Sequence, residues 1–165
     1  MPRLDDVPSG TVLFIDANIL LGHFLQQQPA CTSFLERVWT KDVIGVTSVL
    51  ALAEVRHALL RAEVSARYGL PARRTTAYLR EHPHLVGRLT ESRRALGELR
   101  RWPLRLVHVT RRQFWEGCRL SERYGLLTHD AIHLATLRFH GLHDLASADR
   151  DFTRLPLPGL TVWAP

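Results

Sequence analysis

The stretch Thr11–Leu20, TVLFIDANIL, decides the fold. Thr11 to Ile15 is an apolar run rich in β-forming side chains, and a carboxylate, Asp16, closes it. A short unbroken run of this kind reads as a buried strand, because a half-exposed strand would alternate polar and apolar residues. Ala17 to Leu25 then takes up a helical pattern. Outward from this start, Gln26 to Pro29 is expected to be a linker and Ala30 to Thr40 a second helix. Val43 to Val46 (VIGV) repeats the buried-strand pattern, and Thr47 or Ser48 offers a cap for a helix from about Val49 to Arg67. Gly69-Leu70-Pro71 stops that helix. Pro71 to Trp102 is helical in pattern and rich in arginine, with Pro83 dividing two helices. Leu104 to Val109 alternates as a strand. Thr110 caps a helix over Arg111–Tyr124 closed by Gly125, and Thr128 caps another over His129–His140 closed by Gly141. Asp144 to Ser147 (DLAS) and Leu160 to Trp163 (LTVW) are the last strands. Strands alternating with helices predict an α/β fold, with one parallel sheet covered on both faces through right-handed crossovers. Ligands of such sheets sit beyond the carboxyl ends of the strands, where Asp16 and Asp149 both fall.

The length of 165 residues suits one domain with a proper core. No apolar run approaches the roughly 20 residues of a membrane span. Met1 to Gly10 carries acids and prolines rather than an apolar signal core, so no targeting segment is read and the expected location is cytoplasmic. Cys31 and Cys118 match no metal-binding spacing and read as two buried, small apolar residues. The net charge is +6, and Lys41 is the only lysine. Arginine forks suit phosphate oxygens, so this balance is compatible with a nucleic-acid partner, although GC-rich codon usage yields the same bias.

The acids carry the chemistry. Singly, Asp16, Asp130 and Asp149 are each explained as helix caps or first-turn anions. Glu54 is less ordinary: its neighbours one turn away are Leu50, Ala51 and Ala58, an apolar face on which an unpaired charge is costly. Jointly they are more specific. Strand ends put Asp16 and Asp149 side by side, and helix starts can bring Glu54 and Asp130 to the same edge. Two unit charges 4 Å apart repel by about 4 kcal/mol at an effective dielectric near 20. Carboxylates held so close take up protons or bind a cation. An all-oxygen site suits Mg²⁺ or Mn²⁺ rather than zinc, and such a metal can activate water against a phosphodiester.

FIDANIL (Phe14–Leu20), the helix start from Ser48 to Glu54, LLTHDAIHLATLRFHG (Leu126–Gly141) and LASADRDF (Leu145–Phe152) together resemble the PIN-domain ribonucleases, in particular VapC-type toxins of bacterial toxin–antitoxin pairs. The likeness runs in order along nearly the whole chain. It implies a three-layer α/β/α fold with a central, mostly parallel sheet of about five strands. It also implies a Mg²⁺- or Mn²⁺-dependent endoribonuclease whose metal and catalytic acids are Asp16, Glu54, Asp130 and Asp149, with Asp151 in reserve. Asn18 then orients Asp16, and Ser147 supplies a supporting hydroxyl. A homodimer and a cognate antitoxin are the implied protein partners. The segment from about 66 to 102 is longer than in compact relatives, and the whole chain is read as one domain.

Among other candidates, Arg93, Arg94, Arg100, Arg101 and Arg150, with His133, are possible RNA contacts, although a solvated face explains any one arginine. Trp102 and Trp115 can stack bases but are expected in the core. His129 and His133 lie one helical turn apart, yet they read as packed or capping side chains rather than metal ligands. A phosphotransfer domain also places an aspartate after its first strand. Lys41 is in the wrong place for a receiver, and Asn18 stands where a dehalogenase-type site wants a second aspartate. A catalytically inactive PIN-like RNA- or protein-binding module is the alternative to the nuclease.

Overall fold

The computed structural model describes residues 2–154, 157 and 159–165. In chain order the elements are β1 (Val12–Ile15), α1 (Ala17–Phe24), α2 (Pro29–Trp39), β2 (Ile44–Ser48), α3 (Val49–Tyr68), α4 (Ala72–Glu81), α5 (Glu91–Leu99), β3 (Arg105–Val107), α6 (Arg111–Tyr124), α7 (Thr128–Phe139), β4 (Asp144–Ala146), α8 (Asp151–Arg154) and β5 (Thr161–Trp163). They form two compact units, residues 1–52 with 103–165, and residues 53–102.

The first unit holds a five-stranded, all-parallel sheet in the order β3-β2-β1-β4-β5. The chain moves one way from β1 to β3, then returns to lay β4 on the other side of β1. Right-handed crossovers therefore send α1 and α2 to one face and α6 and α7 to the other. This explains why β1 does not alternate. Phe14 and Val46 join a buried cluster with Leu120, Leu134, Leu137 and Leu145, while Ile15 points the opposite way. A Cβ added to Gly45 would lie 2.6 Å from the Ile15 side chain and 3.0 Å from that of Val38, so only hydrogen fits there. Both faces of the strand are thus covered by apolar neighbours.

Local chemistry sets the ends of elements. Thr110 and Gln113 form a capping box at α6, and Gly125 ends that helix at φ 69°. Several boundaries differ from expectation. α2 begins at Pro29 rather than after it, because proline is pre-organised for a first helical position. Ser48 ends β2, yet its hydroxyl still accepts from the Ala51 N–H, 3.0 Å away. Thr128 is the first residue of α7 rather than its cap; Leu127 occupies that position with no side-chain bond. The strand expected over 104–109 is three residues long, Arg105–Val107. Trp115 is a correction: it is 58% exposed. Gln113, Gly117 and Leu120 define the buried stripe of α6, and position 115 falls on the opposite side of the helix. Cys31 is buried as expected and burial pushes its thiol up to about 11, whereas Cys118 is only half-buried.

The N-terminal segment is tied down by Arg37, whose guanidinium donates to the Val7 carbonyl at 2.6 Å and to the Asp42 carboxylate at 2.6 Å. Hydrogen bonds from Ser9 and then Arg37 hold the Asp42 carboxyl below the usual range. A depressed carboxylate stabilises the fold above its unfolded-state value, about 3.9, and loses that contribution as pH falls through the folded one. Asp42→Asn is therefore expected to melt below the native chain at pH 7, and thermal melts followed by circular dichroism should show the two converging as pH falls through the depressed folded-state value.

The second unit is helical: most of α3, then α4, a single 3-10 turn at Pro83–Leu85, and α5. The Glu63 carboxylate accepts the N–H groups of Thr90 and Glu91 at 2.8 and 2.9 Å, at the start of α5. Negative charge at a helix N-terminus is favourable there. Arg61 joins α3 to α4 by donating to the Thr75 hydroxyl and the Ala72 carbonyl, 3.1 and 2.9 Å away.

Candidate functional site

β1 and β4 are neighbours whose following connections leave in opposite directions across the sheet. This is a topological switch point, where open parallel sheets leave a crevice at the strand carboxyl ends. Asp16 follows β1 and Ser147 follows β4. The Asp16 N–H still bonds the Ala146 carbonyl at 3.0 Å, so both residues are held on rigid strand ends.

Asp16 is only 4% exposed. A carboxylate so buried must be compensated by donors. Its Oδ1 accepts the Ala17 N–H at 2.6 Å, capping α1. Its Oδ2 accepts the Asn18 amide at 2.8 Å and the Ser147 hydroxyl at 2.7 Å. Bonds to a charged acceptor are the strong ones, and together they fix the carboxylate plane. Asn18 in turn accepts the Ala148 N–H at 3.0 Å, tying the two strand ends together. Ser147 Oγ accepts the Asp149 N–H at 3.1 Å, and Asp149 Oδ1 accepts the Asp151 N–H at 2.8 Å, at the start of α8. One chain of hydrogen bonds thus runs from Asp16 through Ser147 to Asp149 and Asp151. Asp151 also lies 3.6 Å from Arg154, which offsets its charge.

α7 faces the same corner. His133 is 1% exposed, its Nε2 lies 3.9 Å from Asp16 Oδ1, and its ring packs 5.6 Å from that of Phe14. His133, expected as an RNA contact, is thus packed between Asp16 and Phe14 inside the fold. The signal was legible as a histidine embedded in the apolar run Ala131–Leu137, all of it buried. Asp130, half-buried in the first turn of α7, is one helical turn ahead of it. Glu54 is half-buried in α3 and belongs to the second unit. Arg150 is exposed on the loop before α8. In the second unit, Arg93 donates to the Gly87 carbonyl at 2.6 Å, Arg94 pairs with Glu91 at 2.9 Å, and Arg100 and Arg101 are exposed.

Among the described residues, no group of three or more His, Cys, Asp or Glu side chains is gathered so as to hold a metal ion. The donors around the crevice are nonetheless hard oxygens, carboxylates with a hydroxyl and an amide, which match Mg²⁺ or Mn²⁺ in kind. Among the same residues, no helix is long and apolar enough to cross a membrane.

A family profile described as the PIN domain matches residues 13–157, from β1 through the site to beyond α8. This chain belongs to the PIN-domain family. Its three-layer α/β/α fold around a parallel sheet is that of the family. The PIN domain is 22% identical over 147 residues to Ribonuclease VapC2 of Methanocaldococcus jannaschii, covering 87% of this chain and 88% of that protein. Among solved structures it resembles a chain of a toxin–antitoxin complex from Klebsiella pneumoniae, with TM-score 0.58 at 19% identity over 90% of this chain and 95% of that one. It also resembles VapC20 of Mycobacterium tuberculosis, described as a sarcin–ricin loop cleaving toxin. There the TM-score is 0.60 at 16% identity, over 91% of this chain and 98% of that one. At these identities the structural likeness establishes the fold alone.

Proposed function

We propose that this PIN domain is a divalent-metal-dependent endoribonuclease, hydrolysing RNA phosphodiester bonds as the toxin of a toxin–antitoxin pair. The observation that carries the reading is the buried Asp16, held by Asn18 and Ser147 and joined through the Ser147 hydroxyl to Asp149 at the switch point. Asp16, Asp130 and Asp149, all in the first unit, would hold Mg²⁺ or Mn²⁺. Asp151, already paired with Arg154, stands in reserve.

A cation bound there supplies a water of lowered pKa and positive charge against the phosphate. The chain's own groups do the rest. Asn18 and Ser147 keep the Asp16 carboxylate from rotating, and Ser147 spaces it from Asp149 by bonding both residues. His133 packs against Asp16 from α7, 3.9 Å from its Oδ1. Pre-set orientation of this kind lowers a barrier, because nothing needs to reorganise during reaction.

Purified chain is expected to cleave single-stranded or structured RNA with Mg²⁺, to stop on addition of EDTA and to resume when metal is restored. RNA that is bound but left intact under all three conditions would leave a binding module in place of a nuclease. An antitoxin and a second copy of the chain complete the proposal. The exposed Leu127, Trp115 and Phe139 supply apolar surface for such contacts. Co-purification with the product of an adjacent small gene, lost on deleting that gene's tail, checks the antitoxin.

A further inference from the structure

The charge of this chain is segregated. Residues 53–102, the second unit, hold 11 arginines and 5 glutamates, a net charge equal to the +6 of the entire sequence. The first unit, acidic crevice included, is neutral. On the second unit's surface, four aromatic or imidazole rings form a continuous path. Tyr68, at the end of α3 and 37% exposed, lies 5.2 Å from Tyr78 of α4. Tyr78 stacks on His82 at 4.3 Å with planes 28° apart, and His82 meets the exposed His84 at 6.1 Å. Arg67 adjoins Tyr68 in sequence, and Arg74 lies one helical turn before Tyr78; both are exposed, and neither pairs with an acid among the described residues.

We propose that the second unit is a docking surface for single-stranded RNA, with bases stacking on the Tyr68–Tyr78–His82–His84 path and phosphates taken by Arg67 and Arg74. Flat rings accept any base face, and arginine forks match phosphate oxygens, which is the pairing that non-specific single-strand binders use. An acidic peptide would satisfy the arginines but leave the rings without a purpose. The inference draws its biological sense from the proposed action on RNA, but binding is tested without catalysis.

The full-length chain, in excess EDTA, is titrated against a short fluorescein-labelled single-stranded RNA and followed by anisotropy. A Tyr68→Ala, His84→Ala double variant, which changes the two exposed ends of the path, is expected to bind about tenfold or more weakly. Tyr68→Phe should bind like the native chain. Arg67→Gln with Arg74→Gln should lower the salt dependence of binding, whereas the ring variants leave it unchanged. Circular dichroism confirms that each variant is folded. RNA affinity within twofold of native in the folded ring variant overturns the proposal. So does displacement of the RNA by a poly-glutamate of equal charge with the same potency as by unlabelled RNA. If the rings bind RNA but the chain never cuts it, the nuclease reading fails and this one stands.

Discussion

Asp16→Asn is expected to cut metal-dependent RNA cleavage by about 10²–10³-fold or more while leaving the chain folded. The substitution removes the charge but keeps an oxygen at Oδ1, where the Ala17 N–H needs an acceptor to cap α1. At the other position, an amide NH₂ would face the Asn18 amide now 2.8 Å away, two donors in opposition, while the Ser147 hydroxyl can turn to donate elsewhere or accept. The cost of that opposition is on the order of 1–3 kcal/mol, partly offset because a buried negative charge is gone. Asp16→Ala goes further and also loses the cap, worth about 1 kcal/mol. Cleavage assays with Mg²⁺, set beside thermal melts, separate the two effects. A folded Asp16→Asn chain that cleaves RNA within threefold of native would refute the proposed role of the crevice.

Gly117→Val should be strongly damaging although it lies away from the acids. α6 and α7 pack at Gly117, where an added Cβ would lie 2.8 Å from Ile132 Cγ1 and 3.0 Å from Ile132 Cα. A side-chain end can turn aside, but a backbone atom cannot, so the helices must part. Overpacking of this kind costs about 1–3 kcal/mol, occasionally more, against roughly 1 kcal/mol recovered by removing a helical glycine. Alanine should therefore destabilise modestly and valine strongly, lowering Tm by about 5–10 °C for a domain of this size. Function should fall too, because Ile132 directly precedes His133, and displacements of about 1 Å can cost 10²-fold in rate. Gly97, where an added Cβ meets nothing within 4 Å, is the control: Gly97→Ala should leave stability unchanged or raise it by up to about 1 kcal/mol. Equal losses at the two glycines would refute the packing argument.

Much of the fold was legible because its signals are local. The unbroken apolar run Thr11–Ile15 means a strand covered on both faces whatever surrounds it, and the five strands fall where such runs or alternations occur. Gly125 ended α6 as read, since a left-handed residue after a helix is a backbone requirement. Trp115 was misread because a tryptophan's size suggests burial, whereas the phase of its helix, set by Gln113, Gly117 and Leu120, decides which side it takes.

At the site, the sequence by itself determined that Asp16 and Asp149 each follow a strand, and with that the side of the sheet on which they lie. That those strand ends lie side by side was an expectation that no local pattern could secure. Only the tertiary structure decided this, by returning the chain across the sheet so that β4 lies against β1. That adjacency, across more than a hundred residues of sequence, lets Ser147 reach Asp16 at 2.7 Å and seats His133 behind it. No local pattern encodes it, because sheet order follows from which long-range packing buries the most apolar surface.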